Sequence, residues 1–503
     1  MSAIAEFKRL SNNVFIDGAF RRSQATTGLD VINPATEERL ASIADASDSE
    51  VAEAIAAANR AQKVWNKKNS LARAEALHEV AIEMRHMRPL LAEMMTREMG
   101  KPYKEAADEV SWSITAIDYY AEAARHEMGK VVGPAVDGQL HFTLKEPLGT
   151  VVIILPFNYP LVLLCWEAAA ALAAGNAVII KPSELTSVTT LKFMELFHHL
   201  PKGLVQCVTG GGRVGKLLVE SPDTHGIAFT GSIATGQAVA RGCADSFKRC
   251  LIEASGNDPF IVMPSAPLDI AARGAAFASY LNCGQVCTSA ERLYVHESIH
   301  DAFVDKLVAE ARKLRIGGGL DKVDMGPMVS ERERARYERI LARAREQGAK
   351  VATGGGRPGG FNRGWFVEPT VLVDVTPDME IINDESFGPV APICRVSSLD
   401  EAIALANKSR YGLGANIYTT KLDETMRAVN EIEVGMVWVN APLLDNDAGP
   451  FGGRKMTGTG RQLGSEGLDQ FRHTKLVMID PNASPQDFWW FPYADAETFK
   501  GSK

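Results

Sequence analysis

Two doubly wound parallel β-sheets in an α/β protein are what this sequence predicts, and three observations carry the reading. From Gly149 to Val262, β-branched runs alternate with helical runs in a repeated register. The same alternation restarts near Asp258. At 503 residues the chain exceeds what one core holds, so two or three substructures with room for a buried site are expected. Helices then cover both faces of each sheet, and ligands bind beyond the carboxyl ends of the strands.

Composition narrows the partners. The chain is 46% hydrophobic and 23% charged with a net charge of -8, which leaves no electrostatic footprint for nucleic acid or an anionic membrane. A small soluble molecule is the expected partner. The seven cysteines, at 165, 207, 243, 250, 283, 287 and 394, form no C-x-x-C pair, so neither a disulfide framework nor a zinc cluster is indicated. The ten histidines show no metal spacing, so no metal is expected. Met1 to Leu10 is polar and mixed in charge, unlike a secretory signal, and the cytoplasm is the expected compartment. Pro147 to Trp166 runs roughly twenty residues without a charge, long enough to cross a bilayer. Its prolines and Val151-Val152-Ile153-Ile154 mark it instead as a buried strand entering a loop.

In chain order, Ser47 with Glu50 three residues later reads as a capped helix start before the Ala-rich run Val51 to Val64. Amphipathic patterns predict further helices over Ser70 to Arg88, Pro89 to Met99 and about Tyr103 to Met128. Lys130 to Glu146 alternates loosely around Gly133-Pro134 and Asp137-Gly138, as a hairpin does. Strands follow at Thr150 to Leu155, Ala177 to Lys181, Leu204 to Val208, Gly226 to Phe229 and Arg249 to Glu253. The helices between them are Leu161 to Ala174, Ser187 to Leu200, Val214 to Glu220 and Ala234 to Cys243. In the second unit, helices are expected at Ile270 to Leu281, Ile299 to Leu314 and Glu331 to Gln347, with strands at Phe366 to Val373, Ala391 to Val396 and Gly435 to Asn440. Arg357 to Gly364 reads as a surface loop, and the glycine-dense stretch Gly449 to Gly467 as a tightly turned one. The end changes character, with the aromatic run Phe488-Trp489-Trp490-Phe491-Pro492-Tyr493.

Chemistry-bearing residues gather just after the strands. Gly210-Gly211-Gly212-Arg213-Val214-Gly215 is a G-x-G-x-x-G between strand and helix, yet the acid expected about 20 residues on is missing and Asp223 comes too early. Phe229-Thr230-Gly231-Ser232 is the second phosphate candidate, because a glycine there admits a phosphate to free amides at a helix start. Lys181-Pro182-Ser183-Glu184 is either a solvated capping loop or a ribose site. Asn282-Cys283-Gly284-Gln285-Val286-Cys287-Thr288-Ser289 sets a cysteine among small and amide residues after an apolar helix. Such a cysteine is either buried filler or a nucleophile. Glu253 ends the apolar strand Cys250-Leu251-Ile252, where desolvation raises a carboxyl towards the range of a general base. Asn158 is a turn residue or an amide donor aimed at the same end of the sheet.

Read together, Glu253-Ala254-Ser255-Gly256, the Cys287 segment and Glu385-Ser386-Phe387-Gly388-Pro389 resemble the active-site signature of the NAD(P)-dependent aldehyde dehydrogenase superfamily, in its non-acylating branch. The resemblance runs from about residue 15 to about residue 480. It implies an aldehyde dehydrogenase-like fold, with residues 1–124 and 148–255 as the NAD-binding domain and 256–465 as the catalytic domain. Residues 125–147 and 466–485 would be oligomerisation elements, ahead of an aromatic tail at 486–503. A homodimer or homotetramer follows by resemblance. Oxidation of an aldehyde to the acid would pass through a thiohemiacetal and a thioester on Cys287, with Asn158 and the Cys287 amide holding the oxyanion and Glu253 activating the deacylating water.

For the cofactor, the resemblance assigns Lys181, Ser183 and Glu184 to the adenosine ribose, Gly215 to the adenine side, Phe229, Gly231 and Ser232 to the pyrophosphate turn, and Glu385 and Phe387 to the nicotinamide half. A carboxylate at Glu184 repels a 2′-phosphate, which favours NAD while leaving NADP possible. The substrate pocket would be lined by Tyr159, Leu163, Trp166, Val286, Thr288 and the Leu443 to Asp447 loop with Asp445. The acids in that loop either face solvent or suit a small polar or cationic aldehyde. Pro156-Phe157-Asn158-Tyr159-Pro160 and Glu291-Arg292-Leu293-Tyr294-Val295 look like lactaldehyde and glyceraldehyde-phosphate members, which points to hydroxyaldehydes.

Three motifs depart from the family pattern: the usual Glu-x-Gly-Gly is Glu253-Ala254-Ser255-Gly256, Phe157 stands where Trp is usual, and Gly452-Gly453-Arg454 stands where Gly-Gly-Tyr or Gly-Gly-Phe is usual. No arginine pair for an acidic semialdehyde is evident, although Arg454 is available. Cys283, four residues before Cys287, is core filler or a redox partner. Exposed Trp489 and Trp490 are expected to pack on a neighbouring subunit. The rival readings are a catalytically silent NAD-binding relative and a CoA-acylating enzyme. Retention of Cys287, Glu253 and Asn158 together weighs against the first, and Glu253 against the second.

Overall fold

The computed structural model describes residues 2–126, 128–486 and 489–491. Strand Thr150–Ile154 buries every residue, as do Ala177–Lys181, Gly226–Thr230, Asp258–Val262 and Gly414–Tyr418. Runs that are apolar on both faces form central parallel strands because helices cover both sides of the sheet.

The first sheet orders its strands Gly458–Thr459, Arg249–Glu253, Gly226–Thr230, Thr150–Ile154, Ala177–Lys181, Val205–Cys207, Asn13–Ile16 and Ala19–Arg22. The five from Arg249–Glu253 to Val205–Cys207 are parallel, and the outer strands are antiparallel. Chain order reverses between Thr150–Ile154 and Gly226–Thr230, which opens a crevice beyond their carboxyl ends. The second sheet runs Lys350–Thr353, Thr370–Val373, Val390–Val396, Ala290–His296, Asp258–Val262, Gly414–Tyr418 and Met436–Val439, with only the first strand antiparallel.

Local signals explain several boundaries. Ser47 and Glu50 form a reciprocal capping box at the start of helix Asp48–Trp65, a device that typically contributes about 1 kcal/mol. Pro89 does not divide two helices, contrary to expectation: Ser70–Met99 is one helix with the proline inside it. A proline removes one backbone bond. Here both halves bury residues, Leu77, Val80 and Met84 before it and Leu91, Met94 and Met95 after it, so tertiary packing carries the helix through. It ends at Gly100, whose φ of 99° suits glycine and whose N–H donates to the Thr96 carbonyl at 2.9 Å.

The expected hairpin is present as Val131–Val132 and Leu140–Pro147, and Arg472–Ile479 extends it into a three-stranded antiparallel sheet. Elements with weaker local signals went unassigned in the sequence. They include helices Ala3–Leu10, Leu399–Lys408 and Leu422–Glu431 and strands Ala290–His296 and Gly414–Tyr418. Of the aromatic tail, Trp489, Trp490 and Phe491 are described and exposed, whereas Phe488, Pro492 and Tyr493 lie outside the described residues. No helix among the described residues is long and apolar enough to cross a membrane.

Candidate active site

A cleft of about 1770 Å³ lies beyond the switch point of the first sheet and takes in the loop that carries Cys287. It is lined by Asn158 and Cys287; by Lys181, Ser183, Glu184, Gly215, Phe229, Gly231, Ser232, Glu385 and Phe387; and by Tyr159, Leu163, Trp166, Val286, Thr288 and Asp445. Of the three residues read as catalytic, Asn158 and Cys287 line it and Glu253 does not.

At one end the cleft fits a dinucleotide. Strand Gly226–Thr230 turns through Gly231 into helix Ile233–Ala244, which Ser232 caps by accepting a hydrogen bond from the Thr235 N–H at 3.3 Å. The Gly231 N–H donates to the Glu253 carbonyl at 3.0 Å, and a Cβ on Gly231 would meet the Phe229 ring at 2.7 Å. Glycine therefore keeps the turn tight against the sheet at a helix N-terminus, where a phosphate finds free amides.

The Gly210–Gly215 loop is held differently. Asp45 accepts from the Gly211 N–H at 3.0 Å and is paired with Arg213, so that tip is occupied by the protein's own carboxylate. A Cβ added at Gly215 would meet no other segment nearer than the Lys181 side chain at 3.8 Å, which leaves space beside it for a flat ring. Lys181 is buried, donates to the Pro182 carbonyl at 3.1 Å and lies 4.0 Å from Glu184; burial lowers its pKa. Lysine and carboxylate thus stand together at a strand end, a donor and acceptor set suited to ribose hydroxyls.

The Glu385 loop is held just as closely. Glu291 is buried and accepts from the Ser386 N–H at 2.7 Å, the Ser386 hydroxyl at 2.9 Å and the Phe387 N–H at 2.7 Å. These bonds stabilise Phe387 at a φ of 49°, an uncommon conformation for an aromatic residue. Its ring meets Phe157 edge-on at 5.8 Å. Glu385 accepts from the Gly256 N–H at 3.0 Å, and burial raises its carboxyl to about 8.

Cys287 follows three consecutive left-handed residues, Asn282, Cys283 and Gly284, with φ of 51°, 58° and 71°. A Cβ on Gly284 would come within 2.2 Å of the Gly388 backbone, so glycine is required there. Gln285 locks the turn, donating to the Asn282 carbonyl and accepting from the Val329 N–H, both at 3.0 Å. Cys287 is partly exposed to the cleft, while Cys283 is buried with its sulfur 3.7 Å from that of Met328. All seven thiols are free, so Cys283 and Cys287 are not bridged. A Cβ on Gly256 would meet the Cys287 carbonyl oxygen at 1.9 Å, which accounts for the one glycine retained in Glu253-Ala254-Ser255-Gly256. Burial raises the Cys287 thiol, and the nearby carboxyls of Glu253, Asp258, Glu385 and Asp445 raise it further.

Asn158 is buried and donates from its side-chain amide to the Gln285 carbonyl at 3.1 Å, which ties the first domain's loop to the cysteine loop. Glu253 is 2% exposed and one of its oxygens has no partner. Desolvation raises its carboxyl to about 8, offset in part by Arg461 and the Gly453 N–H. A buried acid neutral at pH 7 and ionised slightly above it is suited to proton transfer.

The other end of the cleft is aromatic. Trp166 and Phe451 approach at 5.0 Å, Tyr159 lines the cleft with them, and helix Tyr103–His126 adds Trp112 and Thr115. Trp112, Thr115 and Phe451 were not picked out in the sequence. An exposed Trp on an otherwise polar helix face was the available signal, since such a ring needs something to cover it. Asp445 and Asp447 line the same end; Asp445 keeps an exposed surface, and desolvation by the surrounding cleft together with the neighbouring Asp447 raises its carboxyl, as desolvation raises that of Asp447. Arg454 is exposed and is not among the lining residues. Away from the cleft, Glu83, His198 and His199 bring ligand atoms within 4.8 Å of one another, a grouping that sequence spacing did not signal.

Two doubly wound domains around a cleft with a dinucleotide end and a partly exposed cysteine define a nicotinamide-dependent oxidoreductase. Residues 20–477 match the Aldehyde dehydrogenase family, and the chain belongs to that family. It is 36% identical over 475 residues to 3-sulfolactaldehyde dehydrogenase of Pseudomonas putida, covering 93% of this chain and 97% of the relative. It is 36% identical over 492 residues to the chloroplastic betaine aldehyde dehydrogenase of Amaranthus hypochondriacus, covering 95% and 98%. Among solved structures, betaine aldehyde dehydrogenase of Staphylococcus aureus in complex with NAD+ superposes with a TM-score of 0.93 at 31% identity, covering 97% of this chain and 98% of that one.

Proposed function

We propose that the enzyme oxidises a small cationic aldehyde to its carboxylate with NAD. Asp445 carries the reading: together with Asp447 it places carboxylates among Trp112, Tyr159, Trp166 and Phe451. Among the lysines and arginines that line the cleft, Lys181 is held by the Pro182 carbonyl, Arg336 by the Glu385 carbonyl and Arg410 by Asp384, in the segments around Lys181 and Glu385. Aromatic faces and carboxylates both attract a cation, whereas an acidic or sulfonated aldehyde would meet repulsion there. The betaine aldehyde relatives accord with this reading.

In this reading Cys287 first loses its proton to water in the cleft, its thiolate sulfur adds to the aldehyde carbon, and the resulting oxyanion is held by the Asn158 side-chain amide and the Cys287 N–H. Lys181, Ser183, Glu184, Gly215, Phe229, Gly231, Ser232, Glu385 and Phe387 would hold NAD, which would supply the acceptor for the hydride that leaves that carbon. Glu253 then takes a proton from water, which attacks the thioester carbon, and the C–S bond breaks to release the acid and the Cys287 thiolate. Residues 1–124 and 148–255 serve as the NAD-binding domain and 256–465 as the catalytic domain.

With a panel of betaine aldehyde, lactaldehyde, propanal and succinate semialdehyde, kcat/KM is expected to be highest for the cation. Asp445→Asn is expected to lower it about tenfold for betaine aldehyde and leave propanal unchanged. An equal loss on both substrates, or a preference for the anion, would sink the cationic reading.

The three-stranded sheet is read as a subunit interface of a dimer or tetramer. Val131 is 80%, Leu476 55% and Met478 58% exposed on it in the single chain, and the exposed Trp489 and Trp490 of the 486–503 segment are read as part of the same contact. Met478→Glu is expected to yield monomers in sedimentation equilibrium with the circular dichroism of the parent; an unchanged assembly would refute the assignment. Seven free thiols fit a cytoplasmic location.

A further inference from the structure

Lys101 is a fully enclosed cation that the chemistry above does not use, and its side chain and that of Glu109 are both 0% exposed. An ammonium removed from water is tolerated only when its N–H groups are satisfied. Here the Lys101 Nζ donates to Glu109 at 2.5 Å and to the Asn158 carbonyl at 2.7 Å, and sits 3.8 Å from the centre of the Tyr159 ring. Two of its three contacts are therefore site residues.

The two glutamates extend this cluster. The second oxygen of Glu109 accepts from the Leu161 and Val162 N–H groups at 2.9 and 3.2 Å, the free amides at the start of helix Pro160–Ala173, whose N-cap residue Tyr159 supplies no side-chain cap. Glu105 accepts from the Asn282 N–H at 3.0 Å. Asn282 in turn donates from its side chain to the Asn158 and Gln285 carbonyls, both at 3.2 Å. One helix end, Tyr103–His126 with the lysine just before it, thus grips the loop that carries Asn158 and the left-handed turn that carries Cys287.

We propose that Lys101, with Glu105 and Glu109, is a positioning cluster that clamps the Asn158 peptide against the cysteine loop and thereby aims the Asn158 amide at the oxyanion. The cluster touches neither substrate nor cofactor. It rests on the reading of Asn158 as the oxyanion donor and acts through it. With the Asn158 carbonyl held from two sides, the direction of the side-chain amide is set before substrate arrives. Displacements near 1 Å at such a donor lower rates about a hundredfold.

A double-mutant cycle in the full-length enzyme tests this. Lys101→Met is expected to lower kcat/KM for the aldehyde about a hundredfold with NAD affinity, read by fluorescence, changed less than about twofold. In an Asn158→Ala background the same change is expected to add less than about threefold, since coupled residues are not additive. Glu109→Gln, of the same size, runs the same cycle if Lys101→Met does not fold. A large Asn158→Ala effect with a fully additive second loss overturns the positioning proposal alone. An Asn158→Ala enzyme with the parent rate overturns the oxyanion reading and this proposal with it.

Discussion

Cys287→Ala is expected to lower aldehyde oxidation about 10⁴-fold or more, the scale seen when a nucleophile is deleted, while NAD affinity stays within about twofold. The reason is geometric as well as chemical. Cys287 lies three residues beyond a left-handed run that ends at Gly284, with Gly256 packed against its carbonyl and its side chain lining the cleft. The other cysteine of that segment, Cys283, is buried against Met328 and cannot substitute. NADH formation by absorbance, with the aldehyde panel, is the measurement. Turnover within tenfold of the parent would mean that the cysteine is filler and that the enzyme works by another route.

Glu253→Gln is expected to produce the second largest effect, a fall in steady-state kcat of about 10²–10⁴-fold. A rapid burst of one NADH per active site should persist, because thioester formation precedes the step that needs the base. The parent enzyme should show the matching pH profile. With its carboxyl raised to about 8 by burial, Glu253 holds a proton below that pH. Deacylation should therefore climb about tenfold per pH unit on the acid side and level off above about 8.

Stability moves in the opposite sense. A carboxyl raised in the folded state contributes stability that is complete below its unfolded value of 4.5 and is lost as pH climbs through about 8. The Gln variant lacks that loss, so its melting temperature relative to the parent should rise between pH 5 and 8. A variant without a burst, or a flat pH profile in the parent, would remove Glu253 from the deacylation step.

Much of the fold was legible because its elements carry strong local signals. The β-branched runs at 150–154 and 177–181 and the Ser47–Glu50 capping box each encode their conformation within a few residues. Pro89 misled for the opposite reason: the local penalty of a proline was outweighed by apolar contacts on both sides of it. Strand Gly414–Tyr418 went unassigned because its burial comes from neighbouring strands rather than from alternation of its own.

At the site, sequence could nominate Cys287, Asn158, Lys181, Gly231 and Glu385, since each stands in a short motif whose residue types match a chemical need. It could not show that Glu253 stands back from the cleft, that Asp45 closes the Gly210–Gly215 tip, or that Lys101 reaches the Asn158 carbonyl across 57 positions. Sequence by itself determined the family, the two parallel sheets and the chemical groups available, because backbone preference and motif spacing act over a few residues. Only the tertiary structure decided which groups are desolvated, which carboxyls keep their protons and which side chains hold others in place. Those properties depend on dielectric surroundings and on contacts between segments distant in the chain.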